Sequence, residues 1–219
     1  MAYRDEKMRI PKHEAVVLLH GLGLHSCFMR HVGRYLNDNG YDVYNLDYPS
    51  RQHNIETATA QIHDQLQDKD IGVYKRVHLI GHSLGGILAR NLLYRYWFHN
   101  QGKVIALAPP NNGSLLVDRL KRFIPVSWYL GPAFLELGSE SHFLENFQYI
   151  PNDYYVIAGN RSRWTLFGFC FNDANDGVVT VKSTIAEGME RTHHNVYPVT
   201  HFSILHDKKV FNDILEILK

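Results

Sequence analysis

Four short stretches of this chain hold residues of types that could do nucleophilic chemistry together. The first is Gly81-His82-Ser83-Leu84-Gly85, followed by Gly86. A serine hydroxyl attacks a carbonyl only from an exposed, sharply turned backbone. Glycines two residues away on either side remove the side chains that would collide there. The second is His20-Gly21-Leu22-Gly23. The oxyanion formed by attack needs two converging backbone N–H groups, and Leu84, just after the serine, and Leu22 are placed to supply them. A serine also needs a base, and the base needs an orienting acid. Among 14 histidines, His201 stands out because it follows the last apolar run and precedes the last helical pattern. His206 lies five residues on, near that helix, while His193 and His194 precede the run. His82 reads as a structural part of the turn. For the acid, NDANDGVV offers Asp173 and Asp176, both in a turn sequence. Asp176 is preferred because it adjoins the Gly177-Val178-Val179 segment that would dock the loop.

These residues need a frame that brings them to one edge. Apolar runs suited to buried strands occur at Ala15–His20, Asp42–Tyr48, Arg76–Gly81, Lys103–Ala108, Asp153–Ala158 and Asn195–Val199. Helical patterns lie between them. Met29, Val32 and Leu36 share one face ahead of a capping Gly40, and Asn54 can cap a helix carrying Ile55, Ala58, Ile62 and Leu66. A third helix begins at Leu84, and a last one from Asp207 carries Val210, Phe211, Ile214 and Leu218. This alternation predicts an α/β fold, an open and mostly parallel sheet of about six strands with helices on both faces. Residues 109–152 break the rhythm with Pro109, Pro110 and Gly113, then an amphipathic piece holding Leu116, Leu120, Phe123 and Ile124. They are expected to form a short helical cap within one domain of 219 residues.

Composition adds boundaries. The formal net charge is +1 with scattered Lys and Arg, so nucleic acid is not an expected partner. Cys27 and Cys170, beside Phe28 and between Phe169 and Phe171, read as unpaired, packed thiols, as in a cytoplasmic protein. The polar N-terminus shows no signal peptide, and no apolar run is long enough to span a membrane. Metal ligands at recognised spacings are absent from the sequence, and no cofactor is expected.

The pattern VVLLHGLG, YDVYNLDYPS, VHLIGHSLGG, APPNNGS, NDGVV and a late histidine resembles α/β-hydrolase lipases and esterases of the compact bacterial branch. The resemblance spans nearly the whole chain. It implies Ser83, Asp176 and His201 as the triad and Leu22 and Leu84 as the oxyanion hole, but it carries over no substrate; the Leu, Phe and Trp content of residues 109–152 leads us to expect a small-molecule ester with an apolar or lipid-like acyl group. The same residues would serve an acyltransferase or thioesterase, and the same fold could serve a receptor that binds a ligand without catalysis.

Overall fold

The computed structural model describes residues 13–96, 99–162, 171–189 and 193–219. Six strands form one wholly parallel sheet: β1 (Glu14–Leu19), β2 (Asp42–Leu46), β3 (Arg76–His82), β4 (Gln101–Leu107), β5 (Tyr154–Gly159) and β6 (His194–Tyr197). Their order across the sheet is β2-β1-β3-β4-β5-β6, which puts β3 and β4 at the centre. β1 is an unbroken apolar run because both its faces are covered. Ala15, Val17 and Leu19 join Ile55, Ala58, Ile62 and Leu66 of α2 (Ile55–Gln67) and Leu84, Ile87 and Leu88 of α3 (Leu84–Arg95). Val16 and Leu18 point the other way, to Val32 and Leu36 of α1 (Arg30–Asp38). The same face packs on Val210, Phe211, Ile214 and Leu218 of the C-terminal helix. Each such aliphatic side chain, taken fully from water, contributes about 1.5–3 kcal/mol.

Local chemistry sets the helix ends. The Asn54 side chain accepts the Thr57 N–H at 2.8 Å at the start of α2. Asp207 accepts the N–H groups of Lys209 and Val210 at 2.8 and 3.2 Å. Gly40 takes φ 94° just past α1, a conformation that favours glycine.

Four short helices, α4 (Leu115–Leu120), α5 (Ile124–Leu130), α6 (Pro132–Glu136) and α7 (His142–Asn146), fill the stretch between β4 and β5. Side-chain bonds tie this stretch to α2 and α3. Glu136 Oε2 accepts the Ile55 N–H at 2.7 Å, at the positive end of α2. The buried Arg90 of α3 donates to Asn111 Oδ1 at 2.8 Å and to the Tyr149 carbonyl at 2.8 Å. Among the described residues, α8 (Val181–Thr184) and α9 (Lys208–Leu218) follow β5.

Cys27 corrects the expectation of a packed thiol. It is exposed and free, because the 3-10 turn Ser26–Met29 sends only Met29 inward. Cys170 and the first twelve residues, on which the signal-peptide reading rests, lie outside the described residues. No helix among the described residues is long and apolar enough to cross a membrane.

Candidate active site

Ser83 sits between the last residue of β3 and the first of α3, at φ 53° and ψ −120°. This is strained backbone for any residue but glycine. Surrounding contacts hold it: the Ser83 N–H donates to the Leu107 carbonyl at 2.8 Å, and its carbonyl accepts the Gly86 N–H at 2.9 Å. The flanking glycines are demanded by space. A Cβ on Gly81 would lie 2.2 Å from the Gly85 carbonyl, and one on Gly85 would lie 2.3 Å from the Leu19 carbonyl oxygen. Both neighbours are backbone, so neither can yield without moving a strand. Leu84 is the first residue of α3, and its N–H has no acceptor within the helix.

Asp176 and His201 meet behind this turn. His201 Nδ1 lies 2.7 Å from Asp176 Oδ2. Asp176 Oδ1 accepts the N–H groups of Val178 and Val179 at 2.9 and 2.8 Å. The backbones are joined too, the His201 N–H donating to the Asp176 carbonyl at 3.0 Å. A carboxylate oxygen only accepts, so Nδ1 carries the imidazole proton and Nε2 keeps its lone pair free. Both residues are buried, at 2% exposure for Asp176 and 4% for His201. Asp173, the other candidate acid, is exposed, and its carbonyl accepts the Asn175 side chain. His206 is also exposed and stands edge-on to His31, away from the cavity. His194 opens β6 and bonds Thr184.

Ser83 and His201 line the same cavity of about 180 Å³. Its walls are mainly apolar and come from three places. Gly21, Leu22 and Leu24 belong to the loop after β1, and Val178, Val179 and Phe202 come from the acid and base loops. Leu116, Val117, Leu120, Leu130, Phe134 and Leu137 come from the inserted helices. Ser83, His201, Leu22, Leu116 and Leu120 thus meet at one cavity, whereas Phe123 is exposed and the side chain of Ile124 lies outside those described. A larger open groove of about 570 Å³, walled by Asp47, Arg51, Trp128 and Tyr129, lies across the Gly23–His25 loop. Neither Ser83 nor His201 borders it.

Two buried histidines that spacing alone did not assign flank the site. His20 donates through Nδ1 to the Gly21 carbonyl at 2.9 Å and stacks on Tyr48, whose hydroxyl donates to the His20 carbonyl. His82 points Nε2 at the His201 carbonyl, 2.8 Å away. A signal for His82 exists in hindsight. It lies two residues beyond Ile80 on β3, hence on the α1/α9 face, the side to which the loop after β6 returns. Burial pushes both imidazoles below their ordinary pKa, His82 far below, with the neighbouring His201 adding to its shift. His78, wholly buried beside Glu14, is lowered by burial as well. The sign follows. Below about pH 6.5 the unfolded chain binds protons on these rings while the folded chain does not. Stability is therefore expected to fall as pH drops through that value, by up to about 1.4 kcal/mol per pH unit per histidine. Urea unfolding at pH 7.5 and 5.5 measures it. An unchanged midpoint would mean that the rings take up protons within the fold.

Among the described residues, no group of three His, Cys, Asp or Glu side chains is arranged to hold a metal ion. The sequence profile of the alpha/beta hydrolase family matches residues 16–201. A comparison with curated protein sequences finds no match. Among solved structures, the chain is similar to the mature form of a Bacillus licheniformis lipase, at 22% identity and TM-score 0.77, over 97% of this chain and 95% of that one. It is similar to a metagenomic carboxyl esterase, at 19% identity and TM-score 0.69, over 90% and 67% of the two chains. An esterase of Pyrococcus furiosus gives 19% identity and TM-score 0.63, over 94% and 81%. At these identities the likeness is one of fold.

Proposed function

The chain belongs to the alpha/beta hydrolase family, and from that premise we propose that it hydrolyses carboxylic esters through an acyl-enzyme on Ser83. The observation that carries this reading is the Asp176–His201 bond of 2.7 Å, in a pair buried beside a serine held at positive φ on the same cavity. His201 Nε2 takes the hydroxyl proton as Ser83 Oγ attacks the ester carbonyl. The amides of Leu22 and Leu84 receive the negative charge on the carbonyl oxygen. When the tetrahedral adduct collapses, the alcohol leaves with the proton from His201, and Ser83 carries the acyl group. His201 then deprotonates a water, which attacks the acyl carbonyl. The acid departs, and the proton returns to Ser83. The residues need no cofactor for any of these steps. Without a hydrogen bond between Ser83 and His201 among the described residues, the contact tightens when substrate is seated, as catalytic hydrogen bonds often do.

Helices α4 to α6 act in this reading as a cap that forms the acyl wall. Its apolar lining favours a hydrocarbon acyl group, and its volume limits the length. The cavity, about 180 Å³, is small and its lining mainly apolar. Across p-nitrophenyl esters, kcat/KM is expected to rise about tenfold for the first two methylenes beyond acetate, at about 0.8 kcal/mol each. It should level off and fall once the acyl chain outgrows the cavity. A steady loss from acetate onward would mean that the inserted helices do not form an acyl pocket. A continued rise to long chains would mean that the cap opens to lipid-length substrates.

A further inference from the structure

The proposed nucleophile and base arrive from distant parts of the sheet. Ser83 follows β3 and His201 follows β6, with β4 and β5 between them. Among the described residues, the hydrogen bonds at the site join His201 to Asp176 and His82 to His201, and none joins the Ser83 hydroxyl to the imidazole. The separation of Ser83 and His201 therefore depends on something other than their own contact. We propose that His82 is the positioning residue that sets it, by donating its Nε2–H to the His201 carbonyl at 2.8 Å and so tying the peptide of the base to the residue before the nucleophile. This rests on the reading of Ser83 and His201 given above.

The geometry of the ring carries the inference. His82 is fully buried. A carbonyl oxygen only accepts, so Nε2 holds the proton and Nδ1 is the bare nitrogen. That Nδ1 is buried without a hydrogen-bond partner. An apolar residue of similar size would avoid that orphan but would leave the His201 carbonyl without this donor. The ring also touches the third part of the site: a Cβ on Gly21 would lie 3.0 Å from His82 Nδ1 and 3.3 Å from Ser83 Cβ. One side chain thus packs against the loop of Leu22, adjoins Ser83 and holds the peptide of His201. Its own neutrality matters as well. The two rings are 4.7 Å apart, so when His201 takes the serine proton no second cation opposes it.

The test compares two substitutions at one position. His82→Leu fills the space without a donor, and His82→Gln keeps an N–H of similar reach. With a p-nitrophenyl ester, His82→Leu is expected to lose about 100-fold in kcat with KM nearly unchanged, the cost of a base displaced by about an ångström. The acid limb of its kcat/KM profile should move as His201 loses its alignment on Asp176, and His82→Gln should recover most of the rate and the profile. If His82→Leu does not fold, His82→Asn replaces it, since its amide stops short of the His201 carbonyl, with the same loss expected. A folded variant lacking the donor that keeps wild-type kcat and pH profile overturns the inference. Equal losses in the Gln and Leu variants also overturn it, since volume rather than the bond would then matter. If the unsubstituted chain hydrolyses no ester, the reading of function fails first and takes this inference with it.

Discussion

Replacing Ser83 by alanine is expected to lower kcat for ester hydrolysis by about 10⁵- to 10⁶-fold while leaving the fold in place. The size of the effect follows from what remains. Without Oγ there is no acyl-enzyme, and the cavity can offer only binding and the two amides to a direct attack by water. The fold should survive because the hydroxyl makes no hydrogen bond among the described residues and the turn is held by backbone bonds from Ser83 to Leu107 and Gly86. Alanine at φ 53° carries the same backbone strain as serine. Single-turnover hydrolysis, with thermal unfolding run alongside, measures both halves. A variant that kept about a tenth of the rate in a preparation free of other esterases would remove Ser83 from the role of nucleophile.

Asp176→Asn is expected to cost about 10⁴-fold in kcat. The cause is geometric. Asp176 Oδ1 accepts two N–H groups, from Val178 and Val179, and Oδ2 accepts a third from His201. An amide cannot satisfy all three. With its oxygen turned to the valines, its NH₂ faces His201 Nδ1 and favours the ring tautomer that puts the proton on Nε2, where the base needs a lone pair. Turned the other way, its NH₂ meets two backbone donors. Asp173→Asn should change kcat by less than about twofold, because that side chain is exposed. Measuring kcat for both variants on one ester separates the two candidates, and a larger loss for Asp173→Asn would make Asp173 the acid and overturn the choice of Asp176.

The comparison of these two aspartates shows what sequence patterning can and cannot carry. The sheet was legible because β1 from Ala15, β4 from Val104 and β5 from Val156 are apolar runs buried on both faces, and α2 and α9 announce themselves by Asn54 and Asp207. The Gly81–Gly85 turn was legible because its glycines answer to contacts of 2.2–2.4 Å that no other residue could tolerate. Asp173 and Asp176 share a turn sequence and differ only in tertiary surroundings, which a local pattern does not encode. The same holds for Cys27. Its apolar neighbours suggested burial, but the 3-10 turn from Ser26 to Met29 exposes it. The size of the cavity depends on how α4, α5 and α6 meet the loop after β1 and the turn after β3, and nothing in residues 109–152 taken alone fixes that. His82 was read as part of the turn because its partner lies 119 residues away.

Covalent labelling tests the central claim most directly. The purified chain is treated with a fluorophosphonate, digested, and mapped by mass spectrometry. A serine activated by His201 in a site with two oxyanion donors should react stoichiometrically, at Ser83 and at no other serine, and Ser83→Ala should abolish the adduct. Protein that stays unlabelled at Ser83 while fully folded, or that is labelled elsewhere, would contradict the account.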